Sequence, residues 1–317
     1  MSTKLTSKLM ILLIGGLMLC NQTVNAQFYD GLQVEFGKNR IQYRDFIWQY
    51  HSVGHFEIYF YQGGQELAGA IAGIVEETAK ELNPYFGNNL DGPIQILVYN
   101  NIAEFRQSNI GTFANEEKGE NIGGSAKIVG NKLFLYGRGD RAGLERDLKG
   151  GLARIAIKQT IYSGNWQDVV KNSSMLQIPE WFEEGLVNYI SWQKSARANI
   201  YSFDAARSGA LANIDRSEGD EAGELGSAVW DYIADVYGVS AISNVLYMVR
   251  ISRSVEGGFR FATGLNLPKL ISEVIDYQIR QTPLDYAQNL PSNAGRKNRR
   301  TALKDGGELP FKLKKRY

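Results

Sequence analysis

Glu184 is the carboxylate whose neighbours best equip it for chemistry. It lies in Ile178-Pro179-Glu180-Trp181-Phe182-Glu183-Glu184-Gly185-Leu186-Val187-Asn188-Tyr189. Pro179 suits the first turn of a helix, where its missing N–H would have had no partner. Trp181, Phe182, Leu186 and Tyr189 supply a broad apolar face, and Glu184 falls on the turn between them. A carboxylate there is either a site residue or an ion-pair partner. Trp181, Tyr189 and Glu183 are the candidate cleft residues around it. Glu180, Glu183 and Glu184 could also form an acid cluster with Asp147 or Glu145. A glycosidase would need two carboxylates at a set separation, one with a raised pKa, and sequence does not supply that. Glu180 and Glu183 fit a solvated helix face.

The chain has only two histidines, His51 and His55. Their H-x-x-x-H spacing resembles half a zinc motif, but Ser52 stands where a base would be and the segment runs into a strand. On a strand, residues four apart share a face yet sit about 13 Å from each other, too far to share an ion. A surface or aromatic-packed pair is the expectation. No G-x-S-x-G, phosphate loop or nucleophilic cysteine appears, and no histidine is placed to activate a serine.

P-x-W-x-x-E-G-x-x-x-Y, as it stands at Pro179 to Tyr189, resembles the second motif of the gluzincin-type (thermolysin-like, peptidase MA) metallopeptidases. The resemblance implies that Glu184 stands where those enzymes place a third zinc ligand. It extends over roughly residues 55–280, including Gly226-Ser227-Ala228-Val229-Trp230-Asp231-Tyr232 and Tyr237-Gly238. The upstream helix should then carry HExxH, in which two histidines one turn apart bind zinc and the glutamate takes a proton from the zinc-bound water. The apolar rhythm Leu144, Leu148, Leu152, Ile155 puts Gly150-Gly151-Leu152-Ala153-Arg154 on those positions. Glycine has no ligand to offer, and arginine is a permanent cation. Gly150, Gly151, Arg154 and Glu184 are therefore relic zinc-site positions. Two glycines inside a helix cost about 1 kcal/mol each relative to alanine, so their presence suggests an open cleft floor. Arg154 is expected to face Glu184 and pair with it in place of a metal.

The elements that must position these residues follow from the rest of the chain. Phe56–Tyr61 and Ile94–Tyr99 read as strands, and 126–129 with 132–136 as a hairpin. Helical periodicity covers 66–86 and then about 141–162, 179–193, 222–237, 239–252 and 267–280. Gly257-Gly258 reads as punctuation between the last two. Strands first and helices afterwards give an α+β class, a small mixed sheet followed by a helical half.

Residues 1–26 have the form of a signal peptide: Lys4 and Lys8, the apolar run Leu9–Leu19, and a small-residue cleavage site at Val24-Asn25-Ala26. Export to the periplasm or outer membrane is expected, with cleavage after Ala26. Leu19 before Cys20 departs from the small residue that a lipoprotein signal wants. Residues 27–54 form an aromatic arm. Residues 281–317 form a basic polar tail or linker, with nine Lys or Arg and two acids over 296–317, against 24 basic and 32 acidic side chains over 27–295. That tail could meet an anionic envelope surface or partner; nothing marks nucleic acid.

The resemblance implies a catalytically inactive pseudopeptidase of the cell envelope, without cofactor, binding a peptide or protein partner through its relic cleft. It is similar to the N-terminal region of exported TolB-like propeller proteins of Gram-negative bacteria, in which a propeller would follow where the basic tail stands. Two other readings remain: an active zinc peptidase with non-standard ligands, and a structural component bridging subunits through the tail.

Overall fold

The computed structural model describes residues 42–87, 90, 92–108, 127–129, 131–162, 176–192 and 196–281. The expected signal peptide and basic tail lie outside the described residues. Five strands form one mixed sheet in the order β1-β2-β3-β5-β4: β1 (Gln49–Val53), β2 (Phe56–Phe60), β3 (Ile94–Tyr99), β4 (Lys127–Val129) and β5 (Lys132–Tyr136). β2, β3 and β5 run parallel, and β1 and β4 are antiparallel edges. The chain is α+β, its small mixed sheet followed by a helical half.

The inner strands show why the two faces differ. Phe56, Ile58, Phe60, Ile94, Ile96, Val98, Leu133 and Leu135 alternate onto one face and join the main core. Tyr61, Leu97, Tyr99, Phe134 and Tyr136 alternate onto the other, with Phe46 and Trp48 of the arm packed over them. Trp48 meets Tyr61 edge-on at 5.1 Å between ring centroids. Of the arm, 42–54 are described, and there Phe46 and Trp48 pack on the sheet while 49–53 form a strand that composition did not reveal; the rest of the arm lies outside the described residues. β1 exposes most of its residues, so it lacks the alternation by which a half-buried strand is recognised. Val53 pairs with Phe56, leaving Gly54 and His55 as a two-residue turn, and Gly54 takes the positive φ of 57° that such turns favour.

Between β2 and β3 lie α1 (Gln65–Glu81) and the short α2 (Asn83–Phe86), which break at Leu82 just before Pro84; the helical half proper follows β5. α3 (Ile102–Phe105) is capped by Asn101, whose side chain accepts from the Glu104 N–H. α4 (Arg141–Tyr162) is the central helix and is buried on nearly every side. It packs on β4 and β5, on α1, and on α5 (Glu180–Trp192). Then come α6 (Ala196–Ser208), a 3-10 turn at Leu211–Arg216, α7 (Gly219–Tyr237), α8 (Ser240–Ser252), α9 (Val255–Thr263) and α10 (Leu267–Gln281).

α9 corrects the expectation that Gly257-Gly258 is a break. Ser254 caps it by accepting from the Gly257 N–H, and a Cβ on Gly258 would come within 2.4 Å of Val249 on α8. The glycine is there for close helix packing. α5 and α7 make the tightest crossing: a Cβ on Gly185 would lie 2.5 Å from backbone atoms of Gly226. The Trp230 indole N–H donates to the Phe182 carbonyl at 2.9 Å across this crossing. Phe259 of α9 completes an aromatic cluster with Trp181, Phe182 and Trp230.

Candidate functional site

α4 and α5 lie side by side and antiparallel: Gly150 is near Ser191, Arg154 near Glu184, and Lys158 near Glu183. The Arg154 guanidinium engages both oxygens of Glu184. Nε donates to Oε1 at 3.2 Å, and Nη2 donates to Oε2. The side chains are 17% and 30% exposed. The pair sits at the rim of the core, where a two-pronged guanidinium–carboxylate match is geometrically specific.

One turn further along, the Lys158 ammonium stands 3.8 Å from Glu183. That contact is too long to offset the burial of Glu183, and desolvation raises its carboxyl pKa. Lys158 and Arg154 act against the rise, while the Glu184 charge adds to it. Tyr162 on α4 is also pushed up, by burial and then by the Glu183 charge. Glu183 is therefore not simply part of a solvated face.

Raising a glutamate's folded-state pKa means that the folded chain holds the proton more tightly than the unfolded chain does. The stability this contributes is fully present below the ordinary value of 4.5 and is lost as pH rises through the raised value. Glu183→Gln removes the titration. Urea denaturation is expected to show the variant gaining stability relative to the native chain from pH 4 to pH 8. Parallel pH profiles for the two proteins would contradict this account of Glu183.

The other expected cleft residues fall elsewhere. Trp181 is 1% exposed. Its ring stacks on Phe259 at 6.0 Å, and its indole N–H donates to Asp215 at 3.0 Å. It is a core anchor and not a cleft wall. Tyr189 is half-buried, with its ring edge-on to Tyr85 at 6.1 Å. Burial and the nearby Asp231 and Asp235 charges push its phenol pKa up. The open cleft floor is also corrected. Gly150 and Gly151 are both buried, and the space a Cβ would take at Gly150 abuts Val187 at 3.4 Å and Ser191 at 3.6 Å. A Cβ there would make ordinary contact, so the position is packed against α5 without requiring a glycine.

His51 and His55 are exposed. His51 lies against Phe60 and His55 against Phe56. They belong to β1 and to the hairpin turn, not to one continuous strand, so the distance argument made from a single strand gives way to the aromatic packing of each ring.

The zinc implied by the resemblance does not fit the residues present. On the expected alignment Gly150 and Arg154 would stand where histidines are needed, and neither side chain can ligate a metal; the Glu184 oxygens both accept from Arg154. Among the described residues no group of three or more His, Cys, Asp and Glu side chains is placed to hold a metal ion. No protein-family model matches the chain, and no curated protein matches it in sequence.

Sequence reasoning missed a second polar feature on the far side of Gly150. Lys149 is buried, with its side chain 9% exposed, and its ammonium donates to Glu81 of α1 at 2.6 Å. The signal available was a lysine immediately before two helix-interior glycines. It said nothing about what faces Lys149, because that partner lies 68 residues away.

Proposed function

We propose that this chain is an exported pseudopeptidase of the cell envelope: a gluzincin-like scaffold that binds a peptide or protein and does not hydrolyse it. The observation that carries the reading is the Arg154–Glu184 pair. Where the resemblance expects a zinc-ligating carboxylate, Glu184 gives both oxygens to a side chain that cannot leave as a proton or be exchanged for a metal. The α4–α5 helix pair that would frame an active site is retained, while the groups that would activate water are replaced by Gly150, Gly151 and Arg154. A scaffold kept without its chemistry points to recognition as the remaining role, and that step rests on analogy.

Elemental mass spectrometry of the purified mature chain, with a zinc thermal-shift titration beside it, tests the reading. The expected result is no stoichiometric zinc and no rise in melting temperature, because a ligand that binds only the folded state must stabilise it by mass action. One tightly held zinc per chain would overturn the alignment of Gly150 to Arg154 on the zinc helix. It would favour the active peptidase with other ligands.

A further inference from the structure

A half-open groove of about 470 Å³ lies between α1, the first half of α4 and the end of α5. It is separate from the Arg154–Glu184 pair, lying on the other side of Gly150. Its size falls within the range of about 300–1,000 Å³ usual for small-molecule sites. Ile74 and Ala142 give it apolar wall, and the rest of its lining is polar.

The charged groups in it are of two kinds. Some are already matched: Arg141 donates to Glu145 at 2.7 Å on the rim. Others keep capacity in reserve. The Lys149 ammonium has three donors, and one is used, on Glu81, among the described residues. The Lys149 side chain is nine-tenths buried and lines the groove, and its other two donors have no partner among the described residues. Arg146 is held by its face, with Cζ 4.3 Å over the Trp192 ring. No hydrogen bond from its guanidinium to a carboxylate is made among the described residues, and a guanidinium carries five N–H donors. Glu77, on the opposite wall, has no cation bonded to it among the described residues.

Three cations and three carboxylates line the groove, so it is neutral as a whole. Its spare capacity is nevertheless sorted: two cationic donors on the α4 side and a carboxylate on α1. A simple anion would satisfy Lys149 and Arg146 but face three carboxylates. A simple cation would satisfy Glu77 but face three positive charges. A molecule carrying both charges meets each wall with its complement. We propose that this groove binds a small zwitterion, an α-amino acid or short peptide. Its carboxylate would lie on Lys149 and Arg146, and its ammonium on Glu77.

The test uses the full mature chain in thermal-shift and calorimetric titrations with L-leucine and L-alanyl-L-alanine, which share the two charges but separate them differently. 4-Methylpentanoate and isoamylamine keep the leucine side chain and one charge each, and inorganic phosphate is the anion control, all at matched ionic strength. The expected result is a saturable rise in melting temperature with at least one of the two zwitterions and none with the three single-charge probes. Arg146→Gln, at a half-buried position, is expected to weaken that binding at least tenfold, and Lys149→Met to abolish it. Should Lys149→Met fail to fold, Arg146→Gln decides. Absence of a shift with both zwitterions, an equal shift with 4-methylpentanoate or phosphate, or full binding by Arg146→Gln would each overturn the proposal.

Discussion

Gly226→Ala is expected to destabilise the chain by about 3 kcal/mol, at the upper end of the usual overpacking range. The added Cβ would stand 1.8 Å from the Trp181 carbonyl oxygen and 2.8 Å from the Gly185 Cα. These are backbone atoms of a neighbouring helix, so no side chain can swing aside to make room. α5 and α7 would have to separate along a crossing that holds Phe182, Trp230 and the bond from Trp230 to the Phe182 carbonyl. Gly69→Ala is the matched control. Gly69 lies exposed within α1 with nothing within 4 Å of the new Cβ. Alanine there should stabilise by up to about 1 kcal/mol through helix propensity alone. Urea denaturation of the two variants should therefore move in opposite directions. If Gly226→Ala unfolds at the native midpoint, the close crossing is wrong. The same packing explains Gly185 without appeal to a metal: the glycine after Glu184 is required by the approach of Gly226, whatever the carboxylate does.

The parts of the fold legible in the sequence were those whose own residues repeat with the element's period. Ile96–Tyr99 is a continuous apolar run because both its faces are covered, and α4 shows its leucine rhythm although it is buried nearly all round. β1 escaped notice because an exposed edge strand has no buried face to mark its period. α9 was hidden for the opposite reason. Gly257 and Gly258 resemble a loop, and only the position of Val249 on another helix shows why Gly258 belongs inside a helix.

The candidate site divides in the same way. Arg154 and Glu184 could be matched only through the resemblance, once the leucine rhythm of α4 sets Arg154 on the position of the second histidine. Trp181 could not be placed, because phase shows that a residue is on the apolar face of α5 but not whether that face meets solvent or Phe259. The groove at Lys149 needs three helices to exist, and no single segment carries its signature.

Arg154→Ala is expected to destabilise by about 2 kcal/mol. Breaking a fully buried ion pair costs about 3–5 kcal/mol because a desolvated charge is left behind, whereas an exposed pair contributes about 1 kcal/mol or less. At 17% and 30% exposure the pair lies between those limits. Glu184→Ala should cost less than Arg154→Ala, since Arg154 has a long side chain that can carry its charge to solvent. The carboxylate of Glu184 on its short stem, beside the half-buried Glu183, cannot do this as readily. Replacing both together, as Arg154→Met with Glu184→Leu, should return stability to within about 1 kcal/mol of the native chain, because no charge is then stranded. A double-mutant cycle closed with the Arg154→Ala, Glu184→Ala double variant, read from denaturation free energies, measures the coupling directly. A coupling indistinguishable from zero would mean that the two side chains are independently solvated. In that case the pair would not have replaced a ligand set, and the case for a dead zinc site would rest on Gly150 and Gly151 alone. Strong coupling, together with tolerance of the double replacement, would instead mark the pair as an ionic cross-link between α4 and α5 that well-packed apolar side chains can replace.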